Sequence, residues 1–256
     1  MMRTAFDYSG SRVLVTGAAN GIGRAVAEAF AGAGADLMIM DVDPSVVSVA
    51  EEITGTVTPI HCDIADRDAV RAALGDLGPF DVLVNNAGLE RPTPLAGSDP
   101  ETDAVFDRIV DVNIRGTRNV TRAVAASMPE GARILLTASI WARTAVPDFS
   151  AYVASKHAII GLARTWAQEL GPRGIRVNAI CPGWVRTKQA MGSLARMAEA
   201  QNRPEEDLLA EIAGAQALDG VMDPADVAGL YLFLASDAAA NITGQAINID
   251  RGEVMS

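Results

Sequence analysis

The chain has 256 residues, 49% hydrophobic, 21% charged and 5% aromatic, and its 21 Lys and Arg against 32 Asp and Glu leave a net charge of −11. That length and apolar content suit one large core and exclude a disordered or collagen-like chain. The acidic balance and the lack of a basic stripe argue against nucleic acid and against an anionic membrane surface, both of which are held by Lys and Arg.

Val13-Leu14-Val15 reads as the first strand. After it, Ile22, Val26 and Phe30 fall at i, i+4 and i+8, one buried stripe of a helix that the glycines of Ala31-Gly32-Ala33-Gly34 end. Residues 37–40, 57–60, 82–84, 134–136, 175–180 and 246–249 complete a set of seven strands. Helical patterns fill 44–54, 66–77, 116–128, 151–170 and 224–235. The strands are mostly apolar on both faces, as parallel strands covered by helices are. Alternating strand and helix with short connections predicts a single α/β domain over 1–256, a doubly wound Rossmann fold with a seven-stranded parallel sheet and helices on both faces. Residues 187–221 break the rhythm: the segment is long, polar and Met-dotted and follows a strand's carboxyl end. There it is placed to cover a ligand as a lid; a surface helical pair packed on the body is the other reading.

Met1 to Gly10 lacks the basic and apolar regions of a secretory signal, and no run approaches the roughly 20 apolar residues of a membrane span. A cytoplasmic location is the expectation. Cys62 and Cys181 sit beside strand-like runs without CxxC spacing, and His61 and His157 add no ligand cluster. Two buried free thiols and no metal are expected.

The first strand runs into Thr16-Gly17-Ala18-Ala19-Asn20-Gly21-Ile22-Gly23, where a helix starts. Glycines permit the tight turn and close backbone approach, and the helix amino terminus offers free N–H groups to a pyrophosphate. The spacing is GxxxGxG rather than GxGxxG, but strand before and helix after make it a dinucleotide site. The next strand ends at Asp41, where a carboxylate accepts from adenosine-ribose hydroxyls and repels a 2′-phosphate. Asn20 and Val42 carry no charge to receive that phosphate. The cofactor expected is NAD.

Tyr152 and Lys156 are four apart on one predicted helix face, and of the three tyrosines only Tyr152 has Lys at that spacing. A phenol titrates near 10 and a nearby ammonium lowers it, so this pair suits a proton acceptor. Ser139, thirteen residues upstream at a strand end, is placed to hydrogen-bond the same substrate oxygen. Asn113 falls within a predicted helical stretch, where Asn is disfavoured unless it bonds something.

These residues resemble the short-chain dehydrogenase/reductase family over essentially the whole chain. The matching positions are Thr16 to Gly23, Asp63, Asn85-Asn86-Ala87-Gly88, Asn113, Ser139, Tyr152 with Lys156, Pro182-Gly183 and Ile242-Thr243-Gly244. The resemblance implies Tyr152 as general acid/base, Ser139 positioning the reacting oxygen, and Lys156 lowering the Tyr152 pKa while holding the nicotinamide ribose. It implies a water held by Asn113 in a proton relay. By the same resemblance Gly17, Asn20, Gly21, Ile22 and Gly23 cradle the cofactor and Asp63 and Ile64 contact adenine. Asn85 and Ala87 flank the cofactor, and Val185 and Thr187 meet its carboxamide. A homotetramer is also implied, with helices 116–128 and 151–170 forming one interface.

Family membership does not name a substrate. Glu90 and Arg91, Trp141 and Arg143, and Trp184 follow three of the motifs, where family members line their substrate pocket. Arg91 and Arg143 are candidates for a carboxylate clamp, Glu90 for an acceptor of substrate hydroxyls, and the two tryptophans for walls or a sugar platform. A solvated rim of paired charges is the bland alternative. The 184–221 stretch resembles 3-hydroxybutyrate dehydrogenases of the family, whereas Glu90 and Trp141 depart from them. The leading expectation is NAD-linked oxidation of a secondary alcohol on a small sugar, polyol or sugar acid. A 3-hydroxy acid dehydrogenase, a 3-oxoacyl-thioester reductase and a non-catalytic dinucleotide-binding protein are the alternatives. Near the end, Asp250-Arg251-Gly252 has Arg251 where the family has Gly, a departure that puts the local backbone in question.

Overall fold

The seven apolar runs become seven parallel strands: β1 (Arg12–Thr16), β2 (Asp36–Asp41), β3 (Val57–His61), β4 (Val82–Asn85), β5 (Arg133–Thr137), β6 (Arg176–Pro182) and β7 (Ala246–Ile249). They lie in the order β3-β2-β1-β4-β5-β6-β7. Central β1 is flanked on both sides, Val13 standing beside Leu37 and Val82. The structure is a computed structural model and describes residues 6–96 and 100–255.

Nine helices are described: α1 (Gly21–Gly32), α2 (Val46–Glu52), α3 (Arg67–Leu74), α4 (Pro100–Val110), α5 (Thr117–Ala125), α6 (Ser150–Leu170), α7 (Lys188–Ala200), α8 (Glu205–Gly214) and α9 (Pro224–Ala235). Because both sheet faces are apolar, each takes a helical layer. One core packs Val26 and Phe30 of α1 with Val227 and Tyr231 of α9 against Val13 and Val15. The opposite core packs Val70 of α3, Val120 of α5 and Ile159 of α6 against Leu14, Leu83 and Ile134. Fully burying one such aliphatic side chain contributes roughly 1.5–3 kcal/mol, so these layers dominate the stability of the fold. Among the described residues no helix is long and apolar enough to cross a membrane.

The expected doubly wound sheet is therefore present, with differences at particular elements. The helix expected over 66–77 ends at Leu74, before Gly75; its Asp66 caps the start by accepting from the N–H groups of Asp68 and Ala69. The stretch expected from 116 begins as α-helix only at Thr117, because Asp111–Gly116 is a π-helical segment joining α4 to α5. Helix α4 is not among the expected helices, and Ile109 is its only fully buried residue. Arg251 adopts the left-handed φ of +57° that Gly would take more easily. Its guanidinium donates to the Asp219 carbonyl at 2.7 Å and its own carbonyl accepts from Leu218 N–H at 3.0 Å, which offsets the backbone cost.

The 187–221 segment is built on α7 and α8. A bridge between Val185 and Met222 brings its two ends together in a neck, where Arg186 N–H donates to the Met222 carbonyl at 2.8 Å. Beyond that neck it has a small core of its own, Leu194, Ala198 and Leu208 with Trp184, against which Trp141 packs.

Candidate active site

A cavity of about 360 Å³ opens at the carboxyl ends of the central strands, where the order reverses between β1 and β4. Parallel α/β sheets bind ligands at such a switch point. On one side its wall is the turn from β1 to α1. Gly17 has φ +67°, and a Cβ there would stand 2.6 Å from Ala87 Cα; one on Gly23 would stand 2.0 Å from the Gly17 carbonyl oxygen. Only glycine lets this turn fold so tightly. Asn20 precedes α1 without a side-chain cap, so the first N–H groups of the helix are left for a ligand. Asn20, Gly21 and Ile22 all line the cavity.

Asp41, at the end of β2, lines the same side. Its carboxylate accepts from Ala19 N–H and from Asp43 N–H, both at 2.9 Å, which ties it to the glycine-rich turn. Asp63 and Ile64 lie beyond it, Asp63 paired with Arg108 at 2.7 Å. A cradle that a Cβ would fill, an uncapped helix start and a fixed carboxylate together fit an extended dinucleotide with its pyrophosphate at the turn.

The opposite side holds the titratable groups. Tyr152 and Lys156 project from α6 into the cavity beside Ser139, which follows β5. Helix α6 has no side-chain cap of its own; the Thr93 hydroxyl accepts from Ala151 N–H at 3.0 Å instead. That bond pins the loop after β4 to the start of the helix that carries Tyr152. Burial first, and then the charge of Glu90, push the Tyr152 hydroxyl well above the usual phenol range, while the Ser139 hydroxyl pulls the other way. Burial draws Lys156 down to about 8, with Glu90 opposing. Its Nζ donates to the Thr137 carbonyl at 2.8 Å and lies 5.4 Å from the Tyr152 ring centroid. Desolvation and a neighbouring carboxylate thus set the direction at Tyr152.

Glu90 completes that side. It is only 8% exposed. Burial raises its carboxyl against a Ser193 hydrogen bond and the charges of Lys156, Arg196 and Arg91. Trp141 stands edge-on to both Tyr152 (5.9 Å, 88°) and Trp184 (6.0 Å, 85°), making an aromatic wall. Helix α7 closes the outside, with Thr187 capping its start by accepting from Ala190 N–H. The arrangement can hold a small polar molecule between a buried acid, a phenol and two indoles.

A family model described as enoyl-(acyl carrier protein) reductase matches residues 17–253. Oxidoreductase UcpA of Escherichia coli K12 is 38% identical over 259 residues, covering 96% of this chain and 95% of the relative. D-xylose 1-dehydrogenase of Caulobacter vibrioides is 36% identical over 252 residues, covering 96% of each. A solved 3-oxoacyl-[acyl-carrier protein] reductase from Brucella melitensis with bound NAD superposes with a TM-score of 0.84 at 33% identity, covering 100% of this chain and 99% of that one. The chain belongs to the short-chain dehydrogenase/reductase family. It is an oxidoreductase acting on alcohol or keto groups, in a family that uses nicotinamide dinucleotides.

Of the candidate site residues, Gly17, Asn20, Gly21, Ile22, Asp41, Asp63, Ile64, Ala87, Glu90, Ser139, Trp141, Tyr152, Lys156, Trp184, Val185 and Thr187 all reach the cavity. Asn85 does not. Strand alternation turns it to the other face, where its Nδ2 donates to Thr121 Oγ1 at 3.0 Å, and Asn86 faces the cavity in its place. Arg143 does not either: a 3-10 turn over Ile140–Ala142 swings it around, and its guanidinium donates to the Ala246 carbonyl on β7. Arg91 is exposed outside the lining and donates to the neighbouring Glu90 carbonyl, so no two-arginine clamp forms. Gly23 sits behind the turn rather than on its surface. Asn113 lies in the π-helical segment, its Oδ1 accepting from Leu89 N–H at 2.7 Å and its Nδ2 donating to the Leu89 carbonyl and Ser155 Oγ. Through these three bonds Asn113 fixes the loop leading to Glu90. Arg108, Thr137 and Gln189 also line the cavity; Arg108 sits on a helix that was not expected, and nothing in the sequence marks the other two.

Proposed function

We propose that the protein oxidises a secondary alcohol on a small, multiply hydroxylated substrate, a sugar, polyol or sugar acid, with NAD⁺. The observation that carries this reading is Glu90, a buried carboxylate in the reactive half of the cavity with the Trp141–Trp184 wall beside it. A carboxylate accepts from substrate hydroxyls at charge-assisted strength, and flat indoles suit the apolar face of a sugar. Asp41 supports NAD over NADP, because a 2′-phosphate would meet its negative charge.

Ser139 and Tyr152 hold the substrate oxygen and Asn113 supports the loop beneath it. Tyr152 takes the alcohol proton, and the Lys156 ammonium and Ser139 hydroxyl stabilise the phenolate that burial disfavours. A bound nicotinamide ring supplies the hydride acceptor. The segment over 187–221, hung from the Val185–Met222 neck, acts as a lid that excludes water around Glu90. The family relationship supports a cytoplasmic homotetramer joined in part through α5 and α6, which light scattering at micromolar concentration would check.

A second reading is a 3-oxoacyl-thioester reductase, favoured by the description of the solved neighbour with bound NAD. An acidic side chain in the reactive half favours hydroxyls over an acyl chain. The deciding experiment is NADH formation across sugars, polyols, sugar acids and 3-hydroxy acids, repeated with NADP⁺ and followed by thioester reduction. Turnover of a hydroxylated substrate with NAD⁺ supports the proposal; activity on thioesters alone overturns it.

A further inference from the structure

Behind the glycine-rich turn lies a buried phenol that the proposed chemistry does not use. Tyr231 of α9 is fully enclosed, and its hydroxyl stands 2.7 Å from Thr137 Oγ1 at the end of β5. Thr137 Oγ1 donates to Asn86 Oδ1 at 3.3 Å. Asn86 Nδ2 in turn donates to the Gly17 carbonyl at 3.1 Å. The direction of this chain is fixed by what each group can do. An amide oxygen only accepts, so the single hydrogen of Thr137 goes to Asn86, and Tyr231 must donate to Thr137. Burial also pushes Tyr231 upward in pKa, which keeps the proton on the phenol.

The chain ends where shape matters. A Cβ on Gly23 would stand 2.4 Å from Asn86 Nδ2 and one on Gly17 would stand 3.0 Å from it. The amide therefore fills the gap between the two ends of the turn. Reversing that amide would set two oxygens against each other at Gly17. Such one-way networks in a dry interior reinforce each member.

We propose that Tyr231 is a positioning residue for the cofactor: acting through Thr137 and Asn86, it fixes the glycine-rich turn in the shape that receives the pyrophosphate. This rests on the cofactor reading given above.

The test is NADH affinity by fluorescence titration, with thermal midpoints, for the wild type, Tyr231→Phe, Thr137→Val, their combination and Thr137→Ser. Loss of one such bond should weaken NADH binding about five- to tenfold in Tyr231→Phe and in Thr137→Val. The double variant should be no weaker than either single one, because both break the same chain. Thr137→Ser, which keeps the hydroxyl, should retain wild-type affinity. Should Thr137→Val fail to fold, Tyr231→Phe and Thr137→Ser still decide the matter. Variants with lowered midpoints but wild-type NADH affinity overturn the positioning role, as do losses that add in the double variant. A wild type that binds neither NADH nor NADPH overturns the cofactor reading itself, a result distinct from the other two.

Discussion

On the side of the cavity that faces Gly17 and Asp41 the walls are main chain, and on the side that faces Tyr152 they are side chains. The first is shaped by close backbone approach at the glycines, and its carboxylate is tied down by two backbone N–H groups. The second is shaped by Glu90, Trp141 and Trp184, brought from three separate loops, and by a helical pair hung from a narrow neck. A main-chain wall recognises what all nicotinamide dinucleotides share. A side-chain wall can be rebuilt by a few substitutions, which is how one scaffold accommodates many substrates. The two halves should therefore fail separately.

Tyr152→Phe tests that separation most severely. Loss of a proton acceptor should lower turnover by about 10²–10⁴-fold, while NADH affinity, measured by fluorescence, stays within about twofold because the main-chain wall is untouched. A parallel loss of binding would break the comparison. Glu90→Gln should act next most strongly. Its charge raises both Tyr152 and Lys156, so removing it lets both deprotonate at lower pH. The rising limb of kcat/KM against pH should shift downward, and KM for a hydroxylated substrate should rise about tenfold. A limb that stays put or moves upward would show that Glu90 does not act on the reacting phenol. Arg143→Gln should do least at the site: substrate KM unchanged, with unfolding stability lowered by about 1 kcal/mol through the lost bond to the Ala246 carbonyl. A large rise in KM there would return Arg143 to the cavity.

The same division explains what was legible in the sequence. The turn at Gly17 to Gly23 and the carboxylate at Asp41 were readable because their chemistry is local, set by residues a strand and a helix apart. All seven strands were readable for the same reason, their apolar runs needing no knowledge of partners. The side-chain half was readable only in part. Arg143 follows Ser139 by four residues, yet a single 3-10 turn decides which way it faces, and no pattern announces that turn. Asn85 and Asn86 differ by one step of strand alternation, and the choice depends on where β4 ends. The π-helical register that lets Asn113 grip Leu89, and the bond from Thr93 that caps α6, join residues far apart in the chain. Tyr231 looks like any apolar-face residue of α9 until its hydroxyl is seen against Thr137.

Whether a main-chain wall with Asp41 takes NAD while the facing wall takes a hydroxylated alcohol is decided by one comparison. Initial rates with NAD⁺ and NADP⁺ are measured on the sugar or polyol that turns over fastest, in the wild type and in Asp41→Ala. The wild type should favour NAD⁺ by at least about tenfold through like-charge exclusion, and the preference should collapse in the variant. Equal use of the two cofactors by the wild type, or an unchanged preference in Asp41→Ala, would contradict it.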